Sequence, residues 1–166
     1  MKTVVVLLTV VFLMGLTTSN LHQNMRVAWK AGIIEASDCK DDGQHGDHQA
    51  EIQTCNEFKV AIEVSEFSIK KGMSFGIEYE VVPTTNVECF EETRVLVHPP
   101  MTQPNGKVTT NYSRSYKVGN CPEGIPTGAD MFSWFIEHEW EAVKGQWKFQ
   151  VLVDGEPAIN KTFTTY

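Results

Sequence analysis

Hydrophobic and polar residues alternate along most of this chain with a period of two, and helical periodicity is almost absent. Val27, Trp29, Ala31 and Ile33 occupy alternate positions, as do Phe58, Val60, Ile62 and Val64. The clearest half-buried strand sets Met73, Phe75, Ile77, Tyr79 and Val81 against Ser74, Gly76, Glu78 and Glu80. Val95 and Val97 predict a short strand stopped by Pro99 and Pro100, and Tyr112, Tyr116 and Val118 predict another. Phe132, Trp134 and Ile136 interleave with Met131, Ser133 and Phe135, a pattern that suits burial on both faces. Trp147, Phe149, Val151 and Val153 alternate with Lys148, Gln150 and Leu152. Asp154-Gly155 then turns the chain into a last strand over residues 159–166. About eight strands separated by turn signals predict an all-β fold, an antiparallel immunoglobulin-like β-sandwich, with an up-and-down barrel as the alternative. Trp29, Trp134 and Trp147 fit the strand period and read as core.

Three connections interrupt the alternation. Residues 38–54 are polar and rich in Asp, Gly, Gln and His; residues 99–109 carry three prolines; residues 119–130 contain Pro122, Gly124, Pro126 and Gly128. Loops on a rigid sandwich are where binding groups usually sit.

The first residues read as an address. Lys2 precedes an uncharged, mostly apolar run over 4–16, and Thr17, Thr18 and Ser19 are small enough for cleavage after Ser19. The run is shorter than the roughly 20 residues a membrane span needs. The expectation is a signal peptide over 1–19 and one soluble sandwich domain over 20–166, periplasmic or secreted, with no transmembrane anchor after cleavage. Cys39, Cys55, Cys89 and Cys121 all fall in the mature part and suit an oxidising compartment. Strands flanking each pair predict Cys39–Cys55 and Cys89–Cys121 disulfides reinforcing the sandwich. No C-x-x-C occurs, so the cysteines fit no zinc template.

A formal net charge of −7 with no basic cluster argues against nucleic acid as a partner. His45, Asp47 and His48 crowd the first connection, where imidazole and carboxylate would suit a divalent metal, though a loop does not fix ligands as a helix does. No other cofactor is expected. A copper site built on a histidine at the mature N-terminus would need cleavage before His22, which puts the unfavourable Leu21 at the last signal position. No G-x-S-x-G elbow is present, and Glu137, Glu139 and Glu141 around His138 read as a charged strand end. Trp140 lies in a polar stretch and, if exposed, would stack on a sugar ring or anchor a protein. Asn111-Tyr112-Ser113 and Asn160-Lys161-Thr162 are glycosylation sequons that matter only in a eukaryotic host.

His98-Pro99-Pro100-Met101-Thr102-Gln103-Pro104-Asn105-Gly106 is more distinctive. With Ala31-Gly32-Ile33-Ile34-Glu35-Ala36 and the ending Gly145-Gln146-Trp147-Lys148-Phe149, it resembles a bacterial exported family known as domain of unknown function 3859. The resemblance spans about residues 27–166 and implies a bacterial host and a sandwich, with no catalytic residues to carry over. Gln103 stands where that family often has Asn, and the four cysteines and the His/Asp connection are not family features. Two prolines fix an extended entry, so His98, Pro99, Pro100, Met101 and Thr102 form either a rigid structural loop or a preorganised ledge for a partner. The expected function is a non-enzymatic interaction or structural module of the cell envelope, with an unknown envelope protein or glycan as partner. The alternative is metal or carbohydrate binding through His45 and His48, or through Trp140.

Overall fold

A computed structural model describes residues 25–44, 51–84 and 87–166; over 36–44 and 51–57 the backbone alone is described. Among the described residues nine strands form two sheets: β1 Met25–Gln44, β2 Glu51–Glu63, β3 Glu66–Phe67, β4 Ser74–Pro83, β5 Cys89–Thr102, β6 Val108–Gly119, β7 Ala129–Phe135, β8 Gly145–Val153 and β9 Glu156–Thr165. One sheet runs β2-β1-β4-β7 and the other β3-β9-β8-β5-β6. All pairings are antiparallel except the two-residue contact of β3 with β9. No helix of the described residues is long and apolar enough to cross a membrane.

The period-two pattern becomes the interior directly. Phe75, Ile77, Tyr79 and Val81 of β4 face Trp147, Phe149, Val151 and Val153 of β8, with Leu96, Phe132 and Phe163 completing the core. Phe75 is the hub, edge-on to Phe67, Trp147, Phe149 and Phe163 at centroid distances of 5.0, 5.2, 5.6 and 5.5 Å. Asp154 (φ 49°) and Gly155 (φ 83°) make the two-residue turn between β8 and β9, where both centres need positive φ. The expected Cys89–Cys121 disulfide is present and closes 32 residues, a loop for which chain entropy gives about 3–4 kcal/mol.

Several expectations change. The strand containing Val95 and Val97 does not stop at Pro99. β5 continues to Thr102, because the register jumps from Val97↔Asn111 to Met101↔Thr109 and the prolines sit in the bulge, where no ladder donor is required. Leu96, rather than the flanking valines, is the fully buried residue there. The polar stretch 38–54 is largely ladder: β1 runs on to Gln44 and β2 starts at Glu51. Backbone pairing needs no burial, so polar composition misled. Cys39 is the register partner of Cys55, although their side chains, and His45, Asp47 and His48, lie outside the described residues. β7 is buried on one face only, with Phe135 43% exposed. Residues 137–141 form no strand end; Glu139–Glu141 is a 3-10 turn. Trp29 shares the inner face with its partner Tyr79 yet is 47% exposed, because β2 begins pairing only at Gly32 and, among the described residues, no strand flanks Trp29 on that side.

Gly32 and Gly76 are partners on the outer face of the first sheet. A Cβ on Gly32 would lie 1.9 Å from the Ile62 carbonyl oxygen, and one on Gly76 would lie 2.2 Å from that of Phe132. Both edge strands therefore press onto this glycine pair. Gly76→Ala must push β7 outward and with it the core rings of Phe132 and Trp134. A loss of about 2 kcal/mol is expected from the urea midpoint at unchanged slope. A wild-type midpoint would show that β7 does not press on Gly76.

Candidate functional site

Among the described residues a group of charged side chains is gathered between the two sheets. Glu92 and Arg94, two positions apart on β5, point into the sandwich towards Tyr79 of β4 and Asp130 of β7. Glu92 Oε1 accepts hydrogen bonds from Tyr79 Oη at 2.6 Å and from Arg94 Nε at 2.8 Å. Arg94 Nη2 donates to Asp130 Oδ2, and Nη1 donates to the Met131 carbonyl at 3.2 Å. The guanidinium also lies over the rings of Tyr116 (4.6 Å) and Tyr79 (5.7 Å). Burial raises the Tyr79 pKa, against the pull of Arg94 and with help from the Glu92 carboxylate, so the phenol stays a donor. For Arg94 burial alone would lower the pKa, but the carboxylates of Asp130 and Glu92 outweigh it and hold the charge. Such a cluster ties one sheet to the other through directional bonds. The hydrophobic pattern missed it because it placed Val95 and Val97 inward, one residue out of phase with Glu92, Arg94 and Leu96.

The proline segment is interior on one side. His98 and Met101 are 3% and 1% exposed. The imidazole packs against Trp147 at 5.4 Å and Trp134 at 6.1 Å, with Nδ1 2.8 Å from the Pro99 carbonyl oxygen. Pro99 is half-buried, and Pro100 and Thr102 face solvent. A ledge on this segment therefore presents Pro100 and Thr102, whereas His98 and Met101 serve the core. The turn beyond is fixed by Gln103 N–H to the Lys107 carbonyl and by Lys107 N–H to Asn105 Oδ1, at 2.8 and 2.9 Å.

Trp140 is half-buried, its indole stacked on the His138 ring at 5.6 Å. Beneath it Glu141 is buried, and its Oε2 accepts the backbone N–H groups of Glu137 and His138 at 2.8 and 2.7 Å. Burial raises the Glu141 pKa above 4.5 despite those donors and His138, and Glu137 adds to the rise. Among the described residues no group of three His, Cys, Asp or Glu side chains is placed to hold a metal ion.

What faces solvent with no partner is an edge. β1 pairs with β4 over 25–34 but with β2 only from Gly32, leaving the far edge of 25–31 open among the described residues. Trp29 and the half-buried Val27 sit on that edge's inner side, and Ile62 (57% exposed) lies just beyond it on β2.

Arg94→Met strands the Glu92 carboxylate in the core and is expected to cost about 3 kcal/mol in urea unfolding, part of it recovered in Arg94→Met/Glu92→Leu. Equal losses in the single and double variants would refute the clamp. The raised pKa of Glu141 gives a contribution that is full below the unfolded carboxylate pKa and is lost as pH rises through the folded one. Glu141→Gln keeps an acceptor for both N–H groups and should match the parent at pH 4 while exceeding its stability at pH 8. Parallel stability curves across that range would sink the assignment.

The fold is similar to that of an immunoglobulin-like protein from Pseudomonas aeruginosa, with a TM-score of 0.58 and 17% identity, covering 86% of this chain and 96% of that one. No curated protein matches the chain. Residues 12–165 match the family described as Domain of unknown function (DUF3859), and the chain belongs to that family.

Proposed function

We propose that this protein is an exported, non-enzymatic interaction module of the bacterial cell envelope, one sandwich domain over 20–166 released from a signal peptide over 1–19. The apolar run after Lys2 and the Cys89–Cys121 bridge support export to an oxidising compartment. The observation that carries the reading is the division of labour among side chains. The buried charged groups Glu92, Arg94 and Glu141 spend their hydrogen bonds inside the fold, while large apolar groups are turned to water at Trp29, Ile62 and Phe135. Large apolar side chains at the surface are the groups that recognise another macromolecule.

A photo-crosslinking amino acid placed in turn at Trp29, Ile62 and Phe135 tests this in cells, with exposed Lys117 as control. The expected outcome is a discrete envelope-protein adduct from at least one of the three and none from Lys117. No adduct from any of them, or protein retained in the cytosol with its first residues uncleaved, would refute the reading.

A further inference from the structure

We propose that the open edge of β1, residues 25–31, receives one extended strand of a partner protein whose side chains alternate between apolar and acidic. This rests on the interaction-module reading and names the surface and the chemistry of the partner.

The edge is ready-made for strand addition. Every second residue of an unpaired strand edge turns both its N–H and its C=O outward, so 25–31 offers three or four such pairs. Two edges of the other sheet are interrupted: β9 carries Pro157 and a register shift at the same end, and the end of β6 is crossed by Ile125, which bridges to Val118. The edge of β1 has neither proline nor bulge before Gly32.

The two faces of the edge specify what would fit. Val27, Trp29 and Ala31 point to the core side, with Trp29 nearly half exposed beside the space a further strand would fill. Alternate residues of the newcomer would cover that ring, and these should be apolar. Arg26, Ala28 and Lys30 point to the other face. Lys30 is bonded to Glu78 at 3.0 Å, and Arg26 is exposed with no ion pair among the described residues. A second copy pairing antiparallel about Ala28 would set Arg26 opposite Lys30 twice, a like-charge match that opposes self-association. Carboxylates at those positions of a foreign strand turn both contacts favourable.

The test uses the purified protein and two soluble heptapeptides, one alternating Val with Glu and one alternating Val with Lys. Binding is read by indole fluorescence and by hydrogen exchange of the amides of 25–31. The Glu peptide is expected to bind roughly tenfold more tightly than the Lys peptide and to slow exchange over 25–31. Arg26→Glu, on an exposed position that does not threaten folding, should abolish or reverse that preference, and Trp29→Ser should weaken both peptides. Equal affinities, no binding, or protection elsewhere would overturn the proposal. So would a dimer in sedimentation whose 25–31 amides are protected without peptide. Crosslinks persisting at Ile62 or Phe135 in cells would then leave the module reading standing with a different docking surface.

Discussion

The ring of Phe75 is the constraint on which the sandwich turns. It sits on a central strand of one sheet and meets, edge to face, aromatic rings from β3, β8 and β9 of the other. Each such pair adds about 0.5–1.5 kcal/mol beyond area burial, so the hub fixes both the spacing and the lateral offset of the layers. Its position depends on its neighbour. Gly76 lets the β7 backbone close onto the outer face, and that brings Phe132 and Trp134 against the same core. Sequence, local backbone approach and inter-sheet packing are thus one chain of dependence running through two adjacent residues.

Farther along the same strands the tie between sheets changes character. At Tyr79 the partner is the Glu92–Arg94 pair rather than another ring. Desolvation of two charges offsets most of their attraction, so this clamp contributes little net stability beside an apolar replacement. Its geometric demand is stricter than that of greasy side chains, since one guanidinium must reach Glu92, Asp130 and the Met131 carbonyl together. Cys89 lies just upstream on the same strand, and its bridge to Cys121 restrains the loop that leads into β7. One end of the sandwich is therefore set by aromatic packing and the other by directional bonds and a covalent link.

The alternation around Phe75, Trp147 and Phe149 was legible in the sequence because a strand buried on one face repeats every two residues whatever its neighbours do. The pairing of Cys89 with Cys121 was legible for the same reason, since both flank strands that antiparallel order brings together. Failures came where the outcome depended on a neighbour rather than on the strand itself. Trp29 carries the right period but lacks a flanking strand among the described residues, and no property of residues 25–31 reveals where β2 stops. The prolines at 99 and 100 read as a terminator, yet a bulge absorbs them without ending β5. Glu92 and Arg94 broke the hydrophobic pattern, and an inward salt-bridged pair looks like a solvated face until its partners on β4 and β7 are in view. His98 and Met101 were noticed for their distinctive context, which packing against Trp134 and Trp147 now explains without a ligand.

The open edge and the long β1–β2 hairpin have one origin. β1 uses residues 25–34 to pair with β4 and residues 32–44 to pair with β2, so its two neighbours overlap only at 32–34. Among the described residues that offset leaves the first half of β1 unpaired on one side and sends its second half out as a two-stranded arm. An isolated two-stranded ribbon is marginal in water, which makes the facing positions of Cys39 and Cys55 the natural place for reinforcement. The overlap falls on Gly32, where the Ile62 carbonyl approaches too closely for any side chain, and the register shifts directly after it between Ile33 and Ile34. Sliding β2 towards Met25 to cover the edge would move that crowding onto Ala31 or Lys30, each of which has a Cβ. A slide of one residue would also exchange the faces of β2. The glycine therefore holds the register that keeps the edge free, so the exposed strand follows from how the sheet is built.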